Sequence, residues 1–192
     1  MKINKVLSII QLAVMYTSLI CLALGGIFLT NLDDSMTAFV SALFITGMVL
    51  GGLAAGLAVA VIITSLVAMF KGKAIDYTKY VMIYKIAAIP YFIGNFVLSI
   101  MLIGGMLNPF LLVAIPIVAF LLMSITYINM LSSTSINFAY VLSSLKQKTI
   151  KTNPLLIIGL VLEFFFCVDF LGSIFIFVNN KKQLSENNEE AK

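Results

Sequence analysis

Residues 154–178 read PLLIIGLVLEFFFCVDFLGSIFIFV, a stretch that is apolar enough to enter a membrane yet carries Glu163 and Asp169 in its interior. Its length exceeds the roughly 20 residues that a helix needs to cross a hydrocarbon core of about 30 Å. If the stretch crosses once, its ends lie on opposite sides of the membrane. If it enters and returns, both ends lie on the same side. This stretch therefore decides both the topology and the position of the two acids.

The composition predicts a membrane environment for the rest of the chain. Hydrophobic residues make up 61% of the 192 residues, charged residues make up 10%, and the mean hydropathy is +1.12. Soluble domains have roughly 25% charged residues. The apolar residues form long blocks instead of the short alternating strands of a membrane β-barrel. The sequence therefore predicts an all-α, polytopic membrane protein.

The apolar blocks predict about five transmembrane helices in one bundle over residues 1–178, followed by a disordered polar tail at 179–192. The predicted spans are residues 6–29, 38–70, 80–105, 110–131 and 154–178. The alternative is four spans followed by a re-entrant or interfacial segment. Two central acids cost roughly 5 to 7 kcal/mol on insertion, and the apolar residues of the last stretch recover about 5 to 11 kcal/mol. We therefore expect five spans.

The basic residues orient these spans. All twelve are lysines, and nine of them lie near the amino terminus, in the two connections that share its side of the membrane, or, in the case of Lys85, one turn inside the third span. The two loops on the other side carry none, which predicts a cytoplasmic amino terminus. A crossing fifth span would place Lys181 and Lys182 outside. A re-entrant segment would leave all twelve lysines inside.

Small residues in the second span predict close helix packing. The candidates are Gly47, Gly51, Gly52, Ala55 and Gly56. They fall on two stripes with a spacing of four residues, and small residues at this spacing let helix backbones approach closely in lipid. Packing against the first and third spans is one interpretation. The alternative is a dimer interface or a pore lining.

Four polar residues are predicted at membrane depth, namely Lys85, Asn95, Glu163 and Asp169. At 1.5 Å per residue, Asn95 and Asp169 both lie about 22 Å into their spans, whereas Glu163 lies about 13 Å and Lys85 about 7 Å in. A lysine stem can cover the last difference. The depths predict a Lys85–Glu163 ion pair and an Asn95–Asp169 hydrogen bond. On one continuous helix the two acids would lie about 240° apart and would not share a face.

These polar residues have a structural and a functional interpretation. They tie the third and fifth spans together in the first. In the second, either acid is a proton or cation site, because an intramembrane carboxylate is by default a functional candidate; Asn95 would then contact a ligand or ion.

The residue types argue against an enzyme. The chain has no histidine, which excludes histidine-based acid and base chemistry and histidine metal sites. Cys21 and Cys167 are solitary in apolar runs, which fits neither a disulfide framework nor a metal cluster. No glycine-rich phosphate loop is present. We expect no cofactor and no nucleic-acid partner, because membrane orientation explains the net charge of +4.

One run in the third span and one in the last stretch resemble a family of uncharacterised small multi-pass membrane proteins of Gram-positive bacteria. The similar residues are Tyr84, Lys85, Ile89, Pro90, Tyr91, Phe92, Ile93, Gly94, Asn95 and Phe96, with Phe166, Val168, Asp169 and Gly172 in the last stretch. This resemblance implies a location in the bacterial plasma membrane. It carries no assigned activity.

Two functional classes follow. The first is a non-enzymatic accessory, immunity or envelope protein that acts by helix packing on another membrane protein or on a second copy of itself. The second is a small transporter or channel for a proton, cation or small solute, which would use the intramembrane acids. The sequence favours the first class, because a solute path needs more polar lining than the few polar residues singled out here.

Overall fold

A computed structural model describes residues 2–29, 37–72, 76–104, 114–165 and 168–190 of the chain. Within these ranges all regular secondary structure is helical, which confirms the predicted all-α class for the described residues. The helices are α1 (Lys2–Leu29), α2 (Thr37–Phe70), α3 (Thr78–Gly104), α4 (Ala114–Lys146), α5 (Pro154–Leu162) and α6 (Asp169–Glu190). Cys167 and residue 105 at the end of the predicted third span lie outside the described residues.

Helices α1 to α4 are long and apolar enough to cross a membrane. The candidate spans are Ile3–Phe28, Ala38–Phe70, Thr78–Met101 and Pro116–Lys146. They correspond to the first four predicted spans, but the fourth continues to Lys146 instead of ending at 131. Its additional residues are rich in serine and threonine, and several of these are buried, including Ser132 and Ser133. Residues 110–113 of the predicted fourth span lie outside the described part.

The last apolar stretch is not the single helix that a fifth span requires. Helix α5 ends at Leu162 and α6 begins at Asp169. With 9 residues, α5 is only about 14 Å long at 1.5 Å per residue. The two helices pack closely, since a Cβ at Gly172 would lie 2.6 Å from the carbonyl oxygen of Gly159. The chain therefore folds back on itself, as the alternative of four spans and a re-entrant or interfacial segment requires.

Helix α5 has a defined start. The side chain of Asn153 accepts a hydrogen bond from the backbone N–H of Leu156 at 2.8 Å, and Pro154 follows in the first helical turn. An asparagine cap satisfies one of the free N–H groups of the first turn, and proline is tolerated there because it lacks an N–H.

Helix α6 continues to Glu190, where the sequence predicts a disordered tail from residue 179 onward. The reason is a set of amide contacts along its polar half. Asn180 Nδ2 donates to Asp76 Oδ2 at 2.7 Å, and Asn180 Oδ1 accepts from the Tyr140 hydroxyl at 2.9 Å. Gln183 exchanges two hydrogen bonds with the backbone of Lys151, at 2.6 and 2.9 Å. This half of α6 is thus joined to the connections before α3 and before α5.

The chain forms two compact units. One consists of Met1–Ser8, Ala58–Ala87 and Met130–Lys192, and the other consists of Ile9–Leu57 and Ala88–Asn129. The apolar core of the first includes Val61, Val81 and Ile136. That of the second includes Met15, Ala54 and Tyr91. All twelve lysines belong to the residue ranges of the first unit.

The glycines of α2 divide into two groups. Gly47 and Gly51 are buried against α1, where a Cβ at Gly47 would lie 2.7 Å from Leu22 Cγ and one at Gly51 would lie 3.4 Å from Ser18 Oγ. Gly52 and Gly56 are exposed, and no atom of the described residues lies within 4 Å of a Cβ built there. The predicted packing within the chain is therefore present at the first group and absent, among the described residues, at the second. Ala55 is half-buried.

Candidate functional site

Lys85 of α3 is the centre of a buried polar cluster. Its side chain is 1% exposed. Its ammonium group donates to Glu163 Oε2 at 2.9 Å, to Thr134 Oγ1 at 3.1 Å and to the Asp169 carbonyl oxygen at 3.4 Å. A lysine ammonium has three N–H donors, so each has an acceptor. The ion pair predicted between Lys85 and Glu163 is confirmed.

Glu163 is held on both of its carboxylate oxygens. Oε2 accepts from Lys85, while Oε1 accepts from Asn137 Nδ2 at 2.6 Å and from the Ser173 hydroxyl. Asn137 Nδ2 also lies 3.1 Å from Ser173 Oγ. These partners come from α3, α4 and α6, so this single carboxylate joins three helices. Hydrogen bonds of this kind to a charged acceptor are stronger than those between neutral groups.

Asp169 is the second carboxylate of the cluster, and its Oδ2 lies 3.2 Å from Lys85 Nζ. This ion contact lacks hydrogen-bond geometry. Among the described residues Oδ2 accepts no hydrogen bond, although it is fully buried. The side chain as a whole is 6% exposed. Two carboxylates therefore face one ammonium group, and only one of them is fully hydrogen bonded.

The break between α5 and α6 brings the two acids together. Glu163 follows the last residue of α5, and Asp169 is the first residue of α6. Because the chain turns back between them, the separation of about 240° expected on a continuous helix does not apply. The Thr134 hydroxyl donates to the backbone oxygen of Glu163 at 3.0 Å. It thus gives a hydrogen-bond partner to a carbonyl at the C-terminal end of α5, where helical carbonyls need partners from outside the helix.

Close contact between two glycines permits this fold-back. A Cβ at Gly172 would lie 2.6 Å from the Gly159 carbonyl oxygen and 2.9 Å from the Glu163 backbone nitrogen. Both obstacles are backbone atoms, which cannot rotate away. Glycine at position 172 is therefore required for α6 to approach the end of α5 and for the acids to reach Lys85.

Asn95 does not take part in this cluster. Its Nδ2 donates to Thr126 Oγ1 at 3.1 Å, and the Thr126 hydroxyl donates to the Leu122 carbonyl at 2.7 Å. The predicted Asn95–Asp169 hydrogen bond is wrong. Equal depth along two helices did not identify the partner, because the second of those helices is not continuous.

The sequence interpretation also missed much of the polar interior. The first predicted span is part of a long apolar run, but α1 buries the polar residues Asn4, Ser8, Gln11 and Ser18. These residues recur at intervals of three, four and seven positions, which places them on the packing seam of a helix. The average hydrophobicity of the span gives no indication of this polar seam, whereas the spacing of its polar residues predicts it.

Hydrogen bonds explain why these polar residues are buried. Asn4 Nδ2 donates to Ser65 Oγ at 3.1 Å, and Ser18 Oγ donates to the Gly47 carbonyl at 2.7 Å. Gln11 Nε2 donates to Asn129 Oδ1 at 2.8 Å. In lipid such contacts join helices that have no hydrophobic reason to associate.

The cluster around Lys85, Glu163 and Asp169, with Thr134, Asn137 and Ser173, is called the Lys85 cluster below. Its most prominent feature is the burial of one ammonium group together with two carboxylates. The described residues contain no group of three or more histidine, cysteine, aspartate or glutamate residues that could hold a metal ion. Such an arrangement is able to bind and release a proton or another cation at a buried pair of carboxylates.

Comparison with known proteins gives a family but no activity. No curated protein and no solved structure matches the chain. A family model matches residues 4–182, which includes every residue of the Lys85 cluster, and its description is a family of unknown function, DUF6652. The chain therefore belongs to this family of unknown function.

Proposed function

We propose that the chain is a non-enzymatic, multi-pass membrane protein that works as a small transporter or channel for a proton, cation or small solute, with the Lys85 cluster as its site. The observation that carries the proposal is the convergence of two buried carboxylates, Glu163 and Asp169, on the single ammonium group of Lys85. Ionisable residues inside membrane proteins mark ion and proton pathways, because they are costly to bury.

The number of buried polar residues supports a transporter over the accessory role that the sequence favours. The sequence favours the accessory role because few of its polar residues are predicted to line a solute path. Among the described residues, the buried side chains include about as many polar as apolar ones. Helix α4 alone buries Thr126, Asn129, Ser132, Ser133, Thr134 and Asn137. The argument from a shortage of polar residues therefore no longer applies.

The energetics of buried charge support a functional site as well. A buried ion pair contributes little net stability, because desolvation offsets the attraction between the charges, and well-packed apolar residues often stabilise a protein more. A cluster needed only to join α3, α4 and the α5–α6 fold-back would be served by apolar contacts. Here two acids and one base are buried where one acid would neutralise the base.

A transport assay tests the proposal. The purified protein is reconstituted in vesicles that enclose a pH-sensitive dye, and a potassium gradient with valinomycin imposes a membrane potential that is negative inside. We expect acidification of the vesicle interior with the wild-type protein and its loss in Asp169→Asn. Asp76→Asn is the matched control, since Asp76 is an exposed acid outside the cluster.

Two outcomes would contradict the proposal. One is a wild-type proton flux equal to that of protein-free vesicles, together with sodium and potassium fluxes, measured with ion-sensitive dyes, that also equal those of protein-free vesicles. The other is an Asp169→Asn variant that transports as fast as the wild-type protein.

For the topology, we propose a bacterial plasma membrane location with the amino terminus and the α6 tail both cytoplasmic. Support comes from contacts at the polar ends of the helices. The Tyr80 hydroxyl donates to the Lys5 carbonyl at 3.1 Å, and Gln147 donates to the Gly72 carbonyl at 2.7 Å. The tail contacts Asp76 and Lys151. Four crossings then leave all twelve lysines on one side, in agreement with the positive-inside rule.

Cysteine labelling in intact cells tests this topology. In a background with Cys21 and Cys167 replaced by serine, Ser185→Cys places a thiol on an exposed position of the tail. An impermeant reagent should label it only after lysis. Labelling in intact cells would mean that residues 154–178 cross the membrane once.

The exposed stripe of α2 favours a second candidate function, helix-mediated association with another copy of the chain. Gly52 and Gly56 face away from the described part of the protein, and small residues on such a face permit close helix contact. Oxidative crosslinking of Gly56→Cys in membranes should then give a covalent dimer, with buried Gly51→Cys as the control. Equal crosslinking of the two variants would contradict this association.

A further inference from the structure

We propose that Asp169 carries one exchangeable proton, while Glu163 remains the ionised partner of Lys85. The inference deepens the proposed function, on which it rests, because it names the ion and assigns different roles to the two acids. It starts from the unequal surroundings of the two carboxylates in the Lys85 cluster.

Glu163 has the contacts of a permanent carboxylate. It accepts hydrogen bonds from an ammonium, an amide and a hydroxyl group, contributed by Lys85, Asn137 and Ser173. An ionised carboxylate is purely an acceptor, and a protonated one has to donate from one of its oxygens. Both oxygens of Glu163 already face donors, so a proton there would replace at least one of these hydrogen bonds.

Asp169 lacks such contacts. Its Oδ2 is buried and accepts no hydrogen bond among the described residues. The charged groups that face it are Lys85 from α3, at 3.2 Å, and Glu163 at the end of α5, whereas α4 contributes the uncharged Thr134 and Asn137 to the cluster. With Lys85 paired to Glu163, an ionised Asp169 leaves one uncompensated negative charge in a buried site. Two carboxylates in one site do not both ionise readily.

A second unpartnered atom supports a proton at this position. Asn137 lies in the cluster, where its Nδ2 contacts Glu163 and Ser173, yet its buried Oδ1 has no hydrogen-bond partner among the described residues. The cluster thus contains two acceptors without donors. A proton on Asp169 converts one of these acceptors into an O–H donor and removes the excess charge in a single step.

The site suits a proton better than a metal ion. Hard metal cations need several oxygen ligands, whereas a proton needs one. Asp169 Oδ2 and Asn137 Oδ1 are the two acceptors left without a partner in the described part of the cluster.

The exchange itself is a simple acid–base step. Asp169 releases its proton to water or to a solute that enters the site, and its carboxylate is then attracted by the neighbouring Lys85 ammonium group. Uptake of a proton restores the neutral acid and weakens that attraction. Neither Glu163 nor Lys85 changes its charge in this cycle.

Infrared difference spectroscopy of the reconstituted wild-type protein tests the inference. Raising the pH should remove the carbonyl stretch of one buried, protonated carboxyl group. Labelling the aspartate carboxyls with ¹³C should shift this band, and labelling the glutamate carboxyls should leave it in place. The band should be lost in Asp169→Asn and retained in Asp76→Asn. The isotope result needs no variant, so it holds even if a cluster variant fails to fold.

Several outcomes would overturn the inference. They are the absence of a titrating carboxyl band, a band that shifts with glutamate labelling, and a band that survives in Asp169→Asn. Replacement of choline by sodium should leave the titration midpoint unchanged. If sodium shifted the titration midpoint of the band by a tenfold change in proton concentration, the site would instead bind a metal cation.

The same samples separate this inference from the proposed transport function. If the carboxyl band of Asp169 titrated but the vesicles showed no ion flux, the proton site would be supported and the transport function would be contradicted. Flux in a protein whose band belongs to Glu163, or which has no such band, would sustain transport and contradict the role of Asp169.

Discussion

The Lys85 cluster and the Gln11–Asn129 pair are both buried polar contacts between helices, but they satisfy their polar atoms differently. Gln11 donates to Asn129 Oδ1 at 2.8 Å, and Asn129 Nδ2 donates to the Ile125 carbonyl at 2.9 Å. In the Lys85 cluster, Asp169 Oδ2 and Asn137 Oδ1 accept no hydrogen bond from the described residues, although Oδ2 makes an ion contact with Lys85. A neutral pair with matched donors and acceptors only holds helices together. The Lys85 cluster also holds helices together, but it contains acceptor oxygens without hydrogen-bond donors, to which a proton can bind.

The largest effect should come from removing the central cation. Lys85→Met leaves the Glu163 carboxylate buried without its counter-ion, and breaking a buried pair in this way costs about 3 to 5 kcal/mol. We expect a decrease of this size in the free energy of unfolding, measured by denaturant titration of the protein in mixed micelles.

The double variant provides the control for this prediction. Glu163→Gln removes the charge that Lys85→Met leaves unpaired, so the double variant should be more stable than the sum of the two single effects implies. Strict additivity would mean that the Lys85–Glu163 ion pair contributes no coupling energy. The Lys85 cluster would then not differ from the Gln11–Asn129 pair in the way that its charges imply.

A smaller effect should follow from preventing the fold-back that brings both acids to Lys85. In Gly172→Ala the new Cβ would meet the Gly159 carbonyl oxygen at 2.6 Å and the Glu163 backbone nitrogen at 2.9 Å. Overpacking of this kind costs about 1 to 3 kcal/mol. We expect a loss of thermal stability in detergent together with reduced transport, because α6 has to move away from α5.

The matched control is Gly56→Ala. Position 56 lies inside α2, and nothing in the described residues approaches a Cβ there within 4 Å. Alanine should stabilise the helix by about 0.5 to 1 kcal/mol. If both alanine variants behaved alike, the close contact between α5 and α6 would not be needed for the site.

The smallest effect should come from the neutral pair. Polar contacts between helices in a membrane protein average about 0.6 kcal/mol and reach about 1.7 kcal/mol. Gln11→Leu and Asn129→Leu should each destabilise the protein by an amount in this range, and neither should alter the carboxyl band of Asp169. If either leucine variant destabilised the protein as much as Lys85→Met does in the same micelles, burial of charge would not be what distinguishes the Lys85 cluster from the Gln11–Asn129 pair.

Part of the candidate site follows from the sequence. Counting residues from the start of each apolar run brings Lys85 within reach of Glu163, because both lie close to the same ends of their segments. The same count fails for Asp169 and Asn95. Their depths agree only along a continuous helix, and α5 ends at Leu162, seven residues before Asp169. The actual partner of Asn95 is Thr126, which lies in a span that the average hydrophobicity presents as uniform.

The glycines of α2 show the same limit of sequence reasoning. Spacing places Gly47 and Gly51 on one stripe and Gly52 and Gly56 on another, and both stripes are equally suited to packing. In the structure Gly47 and Gly51 pack against α1, whereas no atom of the described residues lies within 4 Å of a Cβ built at Gly52 or Gly56. The spacing of small residues on one helix states which residues share a face, but not which face a neighbouring helix covers.

The sequence by itself determines the helical class, the four helices that are long and apolar enough to cross a membrane, and the asymmetry of the lysines. These properties depend on local composition and length, since apolar runs of about 20 residues have to satisfy their own backbone in lipid. The tertiary structure decides where the last apolar stretch turns back and which acid is left with an unpartnered oxygen. Both depend on contacts between residues far apart in the chain, such as Gly172 with Gly159 and Lys85 with Asp169, which no local pattern specifies.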